Sequence, residues 1–225
     1  MKATSARNSL LLLASLLSGL CASCAGTRFL ANPVLMVRGD QGQELGVATS
    51  DGVVFLGRTA RSGEIEITAW FGDGASTEVA VVEPLGGGLY TAETEIRLPS
   101  VPISFDTPAA GEKVTVFGRS GNLPWEEIVK VTSDPRVVEG FLLPWISRFD
   151  GHPELAGAGV FVVDENDPRL KRLVGLVSGR LELTGADGTV KTYLAVVGPS
   201  ELWRLVTARR DNSKKHKWVY REDIL

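Results

Sequence analysis

The chain has 225 residues, of which 44% are hydrophobic and 23% are charged, an ordinary composition for a globular protein with a sizeable core. Its 24 basic and 27 acidic residues give a formal net charge of −3. Domains that bind nucleic acid carry a strongly basic face, so this balance excludes nucleic acid as the expected partner.

The first 25 residues have the parts of an export signal. Lys2 and Arg7 supply a positive start, and the apolar run 10–20, LLLLASLLSGL, is too short to span a bilayer comfortably. We therefore interpret residues 1–25 as a signal peptide. We expect an exported protein that is periplasmic, extracellular or anchored to the cell envelope by lipid, with no transmembrane helix in the mature chain.

Two ways of processing this segment are open. The stretch LCASC resembles the box before the acylated cysteine of bacterial lipoproteins and would make Cys24 a lipid-attachment site, although Cys21 stands where an aliphatic residue is usual. Plain cleavage after Ala25 also fits. Both cysteines lie in this segment, so the exported part has no disulfide. One acyl chain anchors only marginally, so stable attachment needs two or three.

From residue 33 onward, short apolar or alternating runs separated by turn residues indicate β-strands. The clearest is EIEITAWF (64–71), which alternates Ile and Ala with Glu and Thr before the hairpin turn GDG (72–74). The other predicted strands lie within 33–39, 44–50, 52–59, 77–84, 90–98, 101–105, 109–122, 126–133, 159–163, 172–183 and 192–198.

Only PSELWRLVTARR (199–210) is predicted to be helical, with Ser200 as its cap and its leucines and a valine on one face. Many short strands with glycine-rich turns favour an all-β fold, either a sandwich or two packed barrels. We predict an N-terminal barrel over 30–122, a C-terminal barrel plus helix over 123–210, and a charged tail over 211–225.

The order of these segments resembles the trypsin-like (chymotrypsin-fold) serine peptidases, and among them the exported bacterial HtrA-type branch. ELGVATSDGVVFLGRTA is similar to the family's opening strand, hairpin and strand that ends at the catalytic histidine. AGAGVFVVDENDPRLKRLVGLVSG is similar to the nucleophile loop and the strands after it, and TYLAVVGPSELWRLV to the last strand and helix. The resemblance implies a two-barrel fold with a C-terminal helix.

The resemblance also locates the catalytic positions, where the chain departs from the family. A serine attacks the carbonyl, a histidine takes its proton, and an aspartate orients the histidine. The serine position falls on Ala156, the histidine position on Thr59 with a tolerance of one residue, and the aspartate position within 88–92, which contains no Asp. The two histidines, His152 and His216, both lie in the second half, so the first barrel has no histidine base.

The resemblance places two further residues of the nucleophile loop. A glycine that shapes the oxyanion hole is replaced by Glu154, whose carboxylate would disfavour a developing oxyanion. The proline position is Gly159, which makes the loop more flexible.

The stretch SRFDGHPE (147–154) allows a sharper interpretation. A relocated active site could pair His152 with Ser147 or Ser120, and a metal could bind His152 and Glu154. A glycine and a proline in the stretch favour an irregular polar surface loop instead, in which such neighbours need not share a face.

These observations predict a non-catalytic binding or structural module of the cell envelope with a protein or peptide partner, and with neither metal nor cofactor. His152, Glu154 and Trp125 are the residues expected at a binding cleft, Trp125 because it follows a proline near a loop. Two alternatives remain open. One is a serine-type hydrolase with a relocated site, and the other is an unrelated β-sandwich protein of the envelope.

Overall fold

A computed structural model describes residues 32–50, 52–71, 74–86, 88–97, 99–104, 106–132, 140–167, 171–203 and 207. The predicted signal peptide with Cys24, and the charged tail with His216, lie outside the described residues. Most of the described chain is β-strand, which confirms the all-β prediction. Within these ranges, no helix has the length and apolar character needed to cross a membrane.

Six antiparallel strands form a closed first barrel. Their order around it is β1-β2-β3-β6-β5-β4, so the first and last strands of the series also pair. The strands are β1 Val34–Gly39, β2 Gly42–Thr49, β3 Gly52–Phe55, β4 Glu64–Phe71, β5 Gly74–Gly86 and β6 Leu89–Ala92. In this closed order every strand of the barrel has a neighbouring strand on each side.

The alternation in β4 fixes which face points into this barrel. Ile65, Ile67 and Ala69 are buried in the barrel interior, as the sequence pattern predicted, and the polar residues between them face outward. β4 pairs with β5 in one long antiparallel hairpin that extends to Phe71 opposite Gly74, and residues 72–73 of the predicted turn lie outside the described residues. Because side chains alternate with a period of two, this register places Ile65, Ile67 and Ala69 inside, whereas Trp70 lies on the opposite face, against Arg119.

A second sheet of six antiparallel strands has the order β8-β7-β10-β11-β12-β9. The strands are β7 Lys113–Ser120, β8 Leu123–Lys130, β9 Phe141–Pro144, β10 Gly159–Val163, β11 Lys171–Thr184 and β12 Val190–Val197. Thr132 N, just after β8, donates a hydrogen bond of 3.0 Å to Leu142 O in β9, so the two ends of the sheet approach each other. We call this curled sheet the second barrel.

The chain passes between the barrels earlier than the sequence indicated. The predicted division fell at residues 122 and 123, whereas β7 already pairs with β8 and β10 of the second barrel. The change therefore occurs between β6 and β7. The connecting segment bonds to both sides: Val101 N donates to Ala48 O at 3.1 Å, and Ser104 N donates to Leu173 O at 2.8 Å.

The predicted helix 199–210 is helical where it is described, at residues 199–203 and at 207. Leu202 is fully buried and belongs to the same apolar cluster as the second-barrel strands. The amphipathic pattern of this segment therefore predicted its docked face correctly at Leu202.

A buried arginine joins the barrels. Arg119 in β7 is 3% exposed, and its Nε donates to Val34 O in β1 at 2.7 Å. Its guanidinium carbon lies 4.9 Å from the ring centre of Trp70 in β4, and Nη1 donates to Asn122 O at 3.2 Å. Burial lowers the pKa of Arg119, because the charged form loses its hydration. Among the described residues, carbonyl oxygens and an aromatic ring, rather than carboxylates, are its partners.

This geometry predicts that the shape of the guanidinium matters more than its charge. Arg119→Lys should lower the free energy of unfolding by about 2–4 kcal/mol, because Lys keeps a buried charge but cannot reproduce the forked contacts. Arg119→Met should cost less, because it removes the charge that must be desolvated. Urea denaturation measures both, with Arg38→Lys as the exposed control, expected to change stability by less than about 0.5 kcal/mol. A Lys variant as stable as the wild type would contradict the prediction.

Candidate functional site

The turn after β3 is held by a buried carboxylate. Glu44 in β2 is only 1% exposed, and its carboxylate oxygens accept hydrogen bonds from three backbone N–H groups. These belong to Leu56 at 3.0 Å, Arg58 at 2.6 Å and Thr59 at 3.0 Å. Since these three donors lie within four residues, the carboxylate fixes the path of the turn 56–59 against β2.

The side chain of Thr59, the predicted histidine position, points back into the first barrel, to which Thr59 itself belongs. Its side chain is 1% exposed, and its hydroxyl donates to Gly42 O and accepts a hydrogen bond from Gly39 N. Its carbonyl accepts a further bond from Gln41 N at 3.0 Å. The Thr59 hydroxyl therefore bonds the turn between β1 and β2 rather than a group across the junction between the barrels.

Arg58, one residue earlier and within the tolerance of the sequence prediction, reaches the other barrel. Its Nη2 donates to Ser178 O in β11. The β11–β12 register shifts between Val177 and Gly179, so Ser178 is the extra residue of a β-bulge. A β-carbon on Gly179 would lie 3.1 Å from Nη2, so the guanidinium lies directly against the backbone of β11.

Ala156, the predicted serine position, lies between β2 and β11. It follows a short 3₁₀ helix, Pro153–Leu155, and is 4% exposed. Its carbonyl accepts a hydrogen bond from Leu45 N at 2.8 Å, and Gly157 N donates to Val177 O at 2.8 Å. A β-carbon on Gly157, whose φ is +86°, would lie 1.9 Å from Leu45 O, so only glycine fits this close approach.

These contacts close into a ring of hydrogen bonds and chain segments that spans both barrels. We call it the interbarrel ring. It passes in order through Glu44, Arg58, Ser178, Val177, Gly157, Ala156 and Leu45. The turn 56–59 and the Ala156 loop, the two predicted catalytic regions, are therefore both part of the interbarrel ring. The turn joins it through Arg58, and the loop joins it through backbone hydrogen bonds.

Three backbone N–H groups of the Ala156 loop bond within the loop, whereas that of Gly157 bonds to β11. Leu155 N donates to His152 O at 3.1 Å, Ala156 N to Pro153 O at 3.2 Å, and Ala158 N to Leu155 O at 3.2 Å. An oxyanion hole requires N–H donors aimed outward at the position of the reacting oxygen. In this conformation the N–H of Ala156 already has an acceptor.

The residues proposed for a relocated site lie on the surface. His152 Nδ1 is 2.9 Å from Oε1 of Glu154, with the two side chains 59% and 28% exposed. Ser147 is exposed at the start of the 3₁₀ helix Ser147–Phe149, and the hydrogen bond of the imidazole goes to Glu154 rather than to a hydroxyl. In the described part of the chain, no three His, Cys, Asp or Glu residues form a potential metal site.

The structure corrects the expectation that Trp125 lines a cleft. Its side chain is 7% exposed and packs in the core of the second barrel. Its ring covers Gly118, where a β-carbon would lie 2.1 Å from it, and meets Phe149 edge-on at 5.8 Å between ring centres. Arg148 lies over the ring at 5.2 Å. The preceding proline was therefore a poor indicator of exposure.

Sequence reasoning missed Glu44 and Ser178, and it included Arg58 only through its tolerance of one residue. Glu44 begins the predicted strand 44–50, where an acidic residue is ordinarily exposed. The bulge at Ser178 interrupts a strand that was predicted to be continuous. No local pattern in the sequence pairs these residues, because Glu44 contacts a turn 12 to 15 residues further along the chain and Arg58 contacts Ser178 at a separation of 120 residues.

Burial raises the pKa of the Glu44 carboxyl above its usual 4.5, and this effect exceeds the opposing effects of the turn N–H groups and the Arg58 charge. The folded state therefore binds this proton more readily than the unfolded state. The resulting stability is fully present below pH 4.5 and is lost as the pH rises through the folded-state pKa. The unfolding free energy of the wild type minus that of Glu44→Gln should fall over this range in urea titrations.

Glu78 provides a control of opposite sign. The Thr94 hydroxyl, at 2.6 Å, is the main cause that lowers the pKa of Glu78, with backbone N–H groups adding to it. Its contribution is therefore present above pH 4.5 and is lost as the pH falls through the folded-state pKa. A wild-type minus Glu44→Gln difference that instead increased with pH would mean that hydrogen bonds outweigh burial at Glu44.

No protein-family model matches the chain, and neither does any curated protein. Solved structures do. The MamO protease domain from Magnetospirillum magneticum aligns with a TM-score of 0.50 and 20% identity over 75% of this chain and 93% of that one. The serine endoprotease from Yersinia pestis aligns with a TM-score of 0.52 and 16% identity, over 82% of this chain and 64% of that one. This chain therefore spans less than two thirds of the length of the Yersinia protein.

The Rv3671c protease of M. tuberculosis, in an inactive form, aligns with a TM-score of 0.51 and 13% identity, over 81% of this chain and 91% of that one. Identities this low speak to the fold alone. These neighbours are trypsin-like serine proteases, which excludes the β-sandwich alternative. The chain has the trypsin-like two-barrel fold that its sequence predicted.

Proposed function

We propose that the protein is a catalytically inactive homologue of the trypsin-like serine peptidases, of the HtrA-type branch, and acts as a binding or structural module of the cell envelope. One observation carries this proposal. The turn and the loop expected to present the base and the nucleophile carry Thr59 and Ala156 at the predicted positions, and Ala156 belongs to the interbarrel ring together with Arg58, the neighbour of Thr59.

The chemistry of these side chains supports the proposal. The Thr59 hydroxyl cannot act as a general base near pH 7, and the neighbouring Arg58 guanidinium stays protonated in proteins, so neither can take a proton from an attacking hydroxyl. The methyl group of Ala156 has no nucleophilic atom. In a serine peptidase, loss of the serine or the histidine alone lowers turnover on the order of 10⁶-fold, so replacement of both leaves no triad chemistry.

The surroundings of the two positions support it as well. β6, Leu89–Ala92, carries no carboxylate where an aspartate would orient a histidine. The buried carboxylate beside the turn is Glu44, and it accepts hydrogen bonds from backbone N–H groups. The N–H of Ala156 bonds to Pro153 O, and Glu154 adds a negative charge to the same short helix. The last two features disfavour an oxyanion in this loop, and the first two leave no free carboxylate in β6 or at Glu44 to orient a base.

The proposal includes export and a peptide or protein partner. Residues 1–25 have the pattern of a signal peptide, and processing yields either a lipid-anchored chain that begins at Cys24 or a chain cleaved after Ala25. The slightly acidic balance of charge disfavours nucleic acid as a partner. Neither a metal nor a cofactor forms part of the proposed function.

A fluorophosphonate probe, which reacts with activated serines, tests the absence of catalysis. We expect no covalent labelling of the full-length folded protein, and none of Ala156→Ser, because the new hydroxyl has no base. An active trypsin-like protease labelled in parallel confirms that the probe works. Intact mass and peptide mapping give the readout.

One outcome would support the relocated site instead. Labelling of the wild type that disappears in Ser147→Ala or Ser120→Ala, and also in His152→Ala, would overturn the proposal of an inactive protein. A matched variant of an exposed serine outside this region, Ser62→Ala, should leave any labelling unchanged.

A further inference from the structure

We propose that Arg58 is a lock between the barrels. The turn 56–59, which we call the arm, positions the guanidinium so that it binds the bulge of β11 across the barrel junction. The contact is autoinhibitory because it opposes the binding of a partner to β11 at the bulge. This goes beyond the absence of catalysis, because it assigns a conformational role to the residue next to Thr59, the predicted base position. Separate observations support the position of the arm, the availability of the Ser178 carbonyl as its acceptor, and the effect of the contact on access to β11.

The arm is held from three sides. Glu44 binds its backbone N–H groups from β2, and the Thr59 hydroxyl ties it to the turn between β1 and β2. At Gly57, with φ of +67°, a β-carbon would lie 2.1 Å from the ring of Tyr90 in β6. These contacts hold the backbone of the turn against the first barrel, and they thereby position the backbone of Arg58 opposite β11.

The receptor is a defined acceptor in the second barrel. The extra residue of a β-bulge is left out of the regular ladder, so the Ser178 carbonyl is open to a partner from outside the sheet. The Ser178 hydroxyl donates to Ala195 O at 3.0 Å, which anchors the bulge to β12. Gly179 has no side chain that could keep the guanidinium away from the strand.

The consequence concerns access to β11. An extended segment that pairs with β11 at the bulge would have to donate an N–H to the Ser178 carbonyl, and Arg58 already donates to it. Such a partner must first displace the guanidinium, whose hydrogen bond is charge-assisted and stronger than a neutral one. The lock therefore adds a free-energy cost to the binding of any segment that pairs with β11 at the bulge.

Hydrogen–deuterium exchange of the full-length protein, read by mass spectrometry on peptides that cover residues 176–182, tests the lock. Arg58→Ala should raise the exchange rate of these amides roughly tenfold or more, since a charged hydrogen bond to the bulge is lost. Glu44→Gln should act in the same direction, because it loosens the arm. The double variant should exchange no faster than Arg58→Ala alone, because both changes remove the same contact.

Arg180→Ala is the matched control. This arginine lies two residues further along β11, is 55% exposed, and contacts Glu182 and Trp145 within the second barrel. We expect its removal to change exchange at the bulge by less than about twofold after correction for intrinsic rates. Arg58→Lys should fall between wild type and Arg58→Ala, because one ammonium can still donate to Ser178 O.

Two results would overturn the lock. Unchanged exchange at 176–182 in Arg58→Ala would show that the contact holds nothing closed. An equal rise in the β7–β8 hairpin would show a general loss of stability rather than opening at the junction. Neither result bears on fluorophosphonate labelling, so the lock and the proposed absence of catalysis can fail separately.

Discussion

The burial of one carboxylate determines the junction between the barrels. Glu44 points inward from β2, where it cannot be hydrated, so it must find donors among the backbone N–H groups of the turn that follows β3. That demand fixes the turn and, through it, the direction of Arg58. The next residue of the same strand, Leu45, donates its N–H to the Ala156 loop. Two successive residues of β2 therefore hold both regions in which the sequence predicted the catalytic positions.

Two arginines connect the barrels by different means. Arg119 extends from the second barrel into the first, where it lies buried against Val34 O and Trp70. Arg58 extends in the opposite direction and ends at an exposed site on β11. A buried cation without a carboxylate partner is costly unless its hydrogen bonds are well made, so Arg119 specifies one relative orientation of the barrels. An exposed contact is easier to break, which suits a joint that opens.

The residues predicted at the catalytic positions, and Arg58 beside them, have packing roles in this structure. At Ala156 the small side chain lets the loop lie against β2, and the Thr59 hydroxyl bonds the turn between β1 and β2. Arg58, next to Thr59, spans the junction between the barrels. The 3₁₀ helix before Ala156 draws the loop's N–H groups inward, an arrangement that favours compactness over oxyanion binding.

The sequence by itself determined the elements that depend on local pattern. The alternation in 64–71 predicted β4 and the face that points into the barrel. The turn residues predicted the hairpin of β4 and β5, and the order of the segments predicted the trypsin-like fold. It failed where an outcome depends on distant partners. Trp125 is buried because Gly118 on the neighbouring strand makes room for it, and Thr59 turns inward because Gly39 and Gly42 supply its partners. The boundary near residue 122 was placed too late because strand pairing, not composition, assigns β7 to a barrel. The interbarrel ring was decided by the tertiary structure alone, since its hydrogen bonds join residues from 44 to 178 that share no local pattern.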